Sequence, residues 1–182
     1  NIQEDLKNEI PGTEKVAGAG WALIALVILL LAGSFVFTVR FFPALTPWRI
    51  FIQFLGLVYN FKLIPIPRRR LRLKEVYFLK NFLSGFAFIL TCFVYPVASQ
   101  GYAPKAGWAA FAALAVGFIL FELTYEIMYD LRDIEGDRQQ RVPTFPVVHG
   151  KAQTVRIIYG LLIASTCCFC IAFFTGMIGA RE

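Results

Sequence analysis

The stretch from Trp21 to Val39, WALIALVILLLAGSFVFTV, is 19 residues long and contains no charged side chain. As an α-helix it would extend about 28 Å, close to the ~30 Å thickness of the hydrocarbon core of a bilayer. Two more uncharged stretches, 81–104 and 157–180, have 24 residues each, and a third, 106–121, has 16. The sequence therefore predicts an integral membrane protein with several membrane-spanning helices.

The composition of the chain agrees with this interpretation. Of its 182 residues, 58% are hydrophobic and 16% are charged, and the mean hydropathy is +0.63. A water-soluble domain of this length does not need so much apolar surface, whereas a helical bundle in lipid does. We therefore expect this chain to be surrounded by membrane lipid and not to bind nucleic acid.

Proline and glycine residues divide the chain into five predicted helices, at about 17–39, 46–63, 76–99, 105–130 and 151–178. The predicted fold class is an all-α integral membrane bundle with five spans. The second segment is the shortest, because only the 12 residues 50–61 are uncharged, and this length by itself favours a re-entrant segment. Arg49 and Lys62 could reach the two interfaces and allow the segment to span.

The distribution of basic residues favours five spans. If all five segments cross the membrane, the N-terminal segment and the loops 64–75 and 131–150 share one side, which then holds ten Lys and Arg residues against four on the other. This imbalance follows the positive-inside rule and predicts that the first side, with the Asp-rich loops, is cytoplasmic. A re-entrant second segment would instead divide the basic loops between both sides.

A series of carboxylates follows the fourth predicted helix out of the membrane. The spacings between neighbouring members are 4, 4, 3 and 4 residues, for Glu122, Glu126, Asp130, Asp133 and Asp137. Residues three and four apart share a helical face, where like charges repel unless cations neutralise them. Oxygen ligands at such intervals suit Mg²⁺, which proteins usually hold by one or two carboxylates plus substrate phosphates. The alternative is a solvated loop that flanks a span.

A second, weaker set of oxygen ligands lies at the start of the chain. Asn1, Asp5 and Glu9 are spaced by four residues, and an even number of helices separates them from Asp130. Both sets would then lie at one mouth of the bundle, where two Mg²⁺ ions bridged by a diphosphate could bind. Disorder at the terminus would explain this second set equally well.

These two sets resemble the motifs of the UbiA superfamily of intramembrane prenyltransferases. The stretch 130–137, DLRDIEGD, matches the DxxDxxxD motif, and 1–9, NIQEDLKNE, is similar to the NxxxDxxxD motif with Glu in the third position. The resemblance implies nine helices in the whole family fold, of which this chain would hold helices three to seven. Residues 1–182 are then expected to form a single transmembrane prenyltransferase domain that is truncated at both ends.

Departures from the family pattern leave the subfamily open. The segment 11–18 lacks the usual Arg-Pro pair, and Arg141 stands where a glycine is often found. The motif residues themselves are present, so the departures do not change the expected site.

The resemblance implies a Mg²⁺-dependent enzyme that acts on a polyprenyl diphosphate. It implies catalytic roles for three residues: Asp130, Asp133 and Asp137. It implies metal ligands at five positions: Asn1, Asp5, Glu9, Asp133 and Asp137. The expected substrate-binding residues are Tyr59, Lys62, Arg68, Tyr129 and Arg138, while His149 is expected to be a loop residue rather than a base.

Three functions remain open at this point. The first is transfer of the prenyl group to an aromatic, quinone-precursor or lipid acceptor within the membrane. The second is a UbiA-type terpene cyclase, in which the allylic cation attacks its own chain. The third is a transporter or cation-binding membrane protein that uses the acidic stripe, although only Glu122 and Glu126 come near the bilayer interior. Without the missing helices, the chain by itself could also be inactive.

Overall fold

The computed structural model describes residues 12–66 and 69–179, and most of this part of the chain is helical. The helices are α1 (Thr13–Phe41), α2 (Thr46–Asn60), α3 (Leu79–Ser99), α4 (Gly107–Arg132), α5 (Ile134–Gln139), α6 (Phe145–His149) and α7 (Lys151–Phe174). Two 3₁₀ turns, Pro43–Leu45 and Leu73–Glu75, precede α2 and α3. Between α2 and α3 lies a short antiparallel hairpin, β1 (Ile64–Ile66) and β2 (Arg69–Leu71).

Four of the helices in the described residues are long and apolar enough to cross a bilayer. They are α1, α3, α4 and α7, with 29, 21, 26 and 24 residues. At 1.5 Å per residue each extends about 30 Å or more, which matches the hydrocarbon core. The predicted all-α membrane fold class is therefore confirmed.

The second predicted helix is where the structure departs from the expected spans. It is helical over Thr46–Asn60 only, and 15 residues extend about 22 Å, less than the hydrocarbon core. The helix begins with Pro47 in its first turn, where no N–H is needed. It ends because Phe61 adopts an extended conformation that leads into the hairpin. Among the described residues, four helices rather than the predicted five thus have spanning length.

A π-helical turn at Leu90–Val94 interrupts the regular hydrogen bonding of α3. The turn comes just before Pro96, which has no N–H to donate and whose ring crowds the carbonyl four residues earlier. A wider turn relieves this crowding and lets the helix continue to Ser99. The predicted helix at about 76–99 is therefore present as one helix of membrane-crossing length.

The most extensive helix contact joins α4 and α7 and depends on small residues. The Ser165 hydroxyl donates a hydrogen bond of 2.8 Å to the carbonyl oxygen of Gly117, and the ring of Phe169 lies directly over the Gly117 Cα. Close approach through small residues is how helices associate in lipid, where burial of apolar surface gives little driving force. One end of the same pair packs around Ile127, Phe145 and Ile158, below the acidic motif.

We expect Gly117→Ala to destabilise the protein, because a Cβ at this position would lie 2.6 Å from the Phe169 ring. Overpacking of this kind costs about 1–3 kcal/mol, and the melting temperature in detergent should fall. Gly160→Ala is the matched control, since a Cβ there meets no atom within 4 Å and alanine favours the helix by ~0.5–1 kcal/mol. Equal melting temperatures for the two variants would contradict the packing described here.

Candidate functional site

The acidic stripe does not lie on one continuous helix. α4 ends at Arg132, Asp133 has non-helical dihedrals (φ −94°, ψ 9°), and α5 begins at Ile134. The N–H of Asp137 still donates to the carbonyl oxygen of Asp133, at 3.0 Å, so the chain turns without unwinding. This break rotates the carboxylates relative to one another and divides them between the inside and the outside of the bundle.

Asp130 points inward and is almost completely buried, with a side chain that is 2% exposed. Its Oδ1 accepts a hydrogen bond from Lys80 Nζ and its Oδ2 accepts one from Asn81 Nδ2, each at 2.7 Å. Both donors come from the first turn of α3. A buried carboxylate is tolerated only when its charge is paired and its oxygens accept hydrogen bonds, and both conditions are met here.

Asp137 lies beside this pair at the edge of the site. Its Oδ2 is 3.5 Å from Lys80 Nζ, and its side chain is 10% exposed. Burial raises the pKa of the Asp137 carboxyl, the charge of Lys80 lowers it, and the charge of Asp130 raises it, with a net increase. Lys80 is therefore shared by two carboxylates that are seven residues apart in the sequence.

Asp133 points away from these groups. Its two oxygens accept hydrogen bonds from Arg132 Nε and Nη2, at 2.6 and 2.9 Å, and the guanidinium carbon of Arg132 lies 5.1 Å from the centroid of the Tyr129 ring. The side chain of Arg132 is 54% exposed. Asp133 and Tyr129 thus lie on the outer side of the helix end, together with Arg132.

One turn deeper in the membrane, Glu126 lies close to an apolar cavity. The Ser84 hydroxyl donates a hydrogen bond of 2.6 Å to Glu126 Oε1. Ser84 also lines a cavity of about 330 Å³ between α2 and α3, whose other walls are Ile52, Leu55, Gly56, Tyr59, Leu73, Leu83 and Ala87. Tyr59 lies within electrostatic range of Lys80 and all three inward carboxylates. The cavity therefore adjoins the charged cluster.

The remaining predicted site residues lie in different places. Lys62 is exposed, close enough to Glu75 to interact with its charge, and Arg138 is 3.6 Å from Glu135 at the surface of α5. Asn1, Asp5, Glu9 and Arg68 lie outside the described residues. His149, expected to be a loop residue, ends α6, and its Nε2 is 2.5 Å from the hydroxyl oxygen of Tyr77.

Three residues that the sequence analysis did not select belong to the cluster: Lys80, Asn81 and Ser84. A signal for them was present, because Lys80 directly precedes an uncharged span, and Ser84 is four residues from Lys80 and three from Asn81, the spacings of helical neighbours. A polar face at the start of an apolar span predicts polar partners from a neighbouring helix. That signal does not name the partners.

The position of the cluster also shows which segments lie at the same end of the bundle. Lys80 begins α3 and Asp130 lies near the end of α4, so their contact brings the segment before α3 and the segment after α4 to the same end of the bundle. These segments carry many of the basic residues counted above. They share this end of the bundle whether or not α2 crosses the membrane.

The donors at this end suit a hard cation, although the described residues do not complete a metal site. Among residues 12–66 and 69–179, no three His, Cys, Asp or Glu side chains are grouped closely enough to hold a metal ion. Asp137 and Asp133 still offer carboxylate oxygens at the rim, which is the donor type that Mg²⁺ prefers, with substrate phosphates as further ligands.

Comparison with known proteins identifies one family. The family model described as the UbiA prenyltransferase family matches residues 10–180, which is nearly the whole chain. No curated protein and no solved structure matches the chain.

We expect Asp130→Asn to destabilise the metal-free protein by about 2 kcal/mol, because the buried ammonium of Lys80 loses its nearest charged partner. Asp133→Asn is the matched control, since the ion pair that it breaks is with a half-exposed arginine and contributes little, ~0.5 kcal/mol or less. Melting temperatures in detergent would compare the two variants. A larger decrease for Asp133→Asn would contradict the inward position of Asp130.

Proposed function

Because this chain belongs to the UbiA prenyltransferase family, we propose that it transfers a prenyl group from a polyprenyl diphosphate to an acceptor within the membrane, with Mg²⁺. The observation that carries the proposal is the location of Asp130, Asp137 and Lys80 beside an apolar cavity between α2 and α3. A charged group at the edge of an apolar chamber suits a substrate with a diphosphate head and a hydrocarbon chain.

Asp133 and Asp137 are the proposed Mg²⁺ ligands within the described residues. Asn1, Asp5 and Glu9 would supply the second set. When bound, Mg²⁺ neutralises the charge that develops on the departing diphosphate. The raised pKa of Asp137 is consistent with a carboxylate whose charge would be stabilised by a second cation in addition to Lys80. Asp130, whose oxygens are both hydrogen-bonded, holds α3 against α4 beneath these ligands.

The residues deeper in the bundle would handle the organic part of the reaction. In the proposed step the C–O bond to the diphosphate breaks, and the electron pair leaves with the diphosphate. The allylic carbon then bonds to the acceptor, and the proton that the acceptor loses goes to a base. Glu126, with one oxygen accepting from Ser84, is the carboxylate near the cavity that could take this proton.

The cavity walls support this order of events. Ile52, Leu55, Leu83 and Ala87 are apolar, so they keep water away from the allylic carbon until the acceptor reacts. Tyr59, the predicted substrate-binding residue that lines the cavity, has its hydroxyl-bearing ring near Lys80 and can contact the head of the substrate. Lys62, Arg68, Tyr129 and Arg138 stay proposed substrate-binding residues.

The side of the membrane is part of the proposal. The basic residues of the segments that precede α3 and follow α4 favour a cytoplasmic location for this end, by the positive-inside rule. Mg²⁺ and the diphosphate would then enter from the cytoplasm. The acceptor is an aromatic, quinone-precursor or lipid molecule that reaches the cavity through the bilayer.

We expect Asp137→Ala to reduce Mg²⁺-dependent diphosphate release from geranylgeranyl diphosphate by about 100-fold or more, because several kcal/mol of charge stabilisation is lost. Glu135→Ala is the matched control: it removes a carboxylate from the same helix, but one that is 67% exposed and paired with Arg138. Its rate should stay within about twofold of the wild type.

Mass spectrometry of the lipid extract, with and without a panel of acceptors, identifies the product. A prenylated acceptor supports the transferase, and a cyclic hydrocarbon or alcohol formed without an acceptor would show a terpene cyclase instead. If the wild-type protein consumes no prenyl diphosphate of any length tested, the proposed function is wrong and cation transport through the acidic stripe becomes the reading to test.

A further inference from the structure

Lys80 places a positive charge inside the acidic motif. Its ammonium nitrogen is 2.7 Å from Asp130 Oδ1 and 3.5 Å from Asp137 Oδ2. Asp137 is one of the carboxylates proposed above as a metal ligand. Lys80 therefore lies next to the position that a divalent cation would take on this carboxylate.

The contact of Lys80 with Asp130 is stronger than its contact with Asp137, and this difference determines how the Lys80 side chain can move. Asp130 is buried and is held from the other side by Asn81, which is itself 1% exposed. The contact to Asp130 is short, whereas the contact to Asp137 is at the limit of a hydrogen bond. Lys80 is thus anchored at Asp130 and only loosely attached to Asp137.

We propose that Lys80 is the resident counter-charge of Asp137 in the substrate-free enzyme and becomes a diphosphate ligand when metal and substrate arrive. This inference rests on the proposed function. The ammonium leaves Asp137 but keeps Asp130, so the exchange requires rotation of the outer bonds of one side chain and no movement of a helix. Asp137 would then be free to hold the metal, and Lys80 would be free to contact the diphosphate.

The chemistry of lysine suits both roles. The ammonium has three N–H donors on a flexible stem, and its contacts to the described residues use one donor for Asp130 and one for Asp137. The donor released from Asp137, together with the third, can bind phosphate oxygens. An ammonium so close to Asp137 also repels a divalent cation that arrives without substrate. Lys80 therefore weakens metal binding in the substrate-free protein and supports metal binding once the diphosphate is present.

This dual role predicts opposite effects of one substitution, which a purely structural role would not produce. In Lys80→Gln, the full-length, substrate-free protein should bind Mn²⁺, a paramagnetic substitute for Mg²⁺, roughly fivefold more tightly or better, as measured by electron paramagnetic resonance. In the same variant, the KM for geranylgeranyl diphosphate should rise by about tenfold, because a charged phosphate contact is lost.

Three further variants make the test specific. Lys80→Arg keeps the charge and should leave Mn²⁺ affinity near the wild-type value. Lys151→Gln removes an exposed lysine at the start of α7 and should change neither quantity. In an Asp137→Ala background, Lys80→Gln should no longer tighten Mn²⁺ binding, since the carboxylate for which they compete is gone.

The outcomes separate this inference from the proposed function. Unchanged or weaker Mn²⁺ binding by Lys80→Gln, in folded and monodisperse protein, would overturn it even if diphosphate is released normally. Diphosphate release absent from the wild type would overturn the proposed function, while Mn²⁺ binding would still show whether Lys80 competes with metal. If Lys80→Gln does not purify as a monodisperse protein, Lys80→Gln/Asp130→Asn, which removes the buried pair together, should show the same tighter binding.

Discussion

The buried ion pair between Lys80 and Asp130 is the contact on which the candidate site depends. A carboxylate that is 2% exposed must have its charge balanced and its oxygens hydrogen-bonded, and the first turn of α3 supplies both partners. The start of α3 is therefore held against the end of α4, although the two residues are 50 positions apart. Lipid offers no alternative partner for these groups, so the contact constrains the helix ends more strongly than it would in water.

The other charged groups at this end are arranged around that contact. The break at Asp133 turns α5 so that Asp137 lies next to Lys80, while Asp133 faces Arg132 on the outside. One helical turn further along α3, Ser84 donates a hydrogen bond to Glu126. Ser84 also lines the apolar cavity. Charged groups therefore lie at one end of the candidate site and apolar groups at the other. A prenyl diphosphate has the same arrangement, with a charged head and a hydrocarbon chain. The packing of α4 on α7 through small residues helps to hold α4, which carries Glu126 and Asp130, in position.

The sequence predicted some parts of this arrangement well, and the reasons are local. Long uncharged stretches gave the spans because a helix in a bilayer must be apolar for about 20 residues. The second span was the exception: its 12 uncharged residues were ambiguous, and the extended backbone at Phe61 shortened the helix to 15 residues. The carboxylate spacing predicted a shared helical face, but that prediction assumed one straight helix. The turn at Asp133 therefore gave Asp130 and Asp133 different surroundings.

By itself, then, the sequence determined that this is a helical membrane protein of the UbiA prenyltransferase family, and where the carboxylates fall along the chain. These properties depend on hydropathy and on spacings of three or four residues, which are fixed along the chain. Only the tertiary structure decided which carboxylates point inward and that Lys80, Asn81 and Ser84 are their partners. Such pairing depends on the rotation and depth of α3 against α4, which side-chain packing sets between distant parts of the chain and no local pattern encodes.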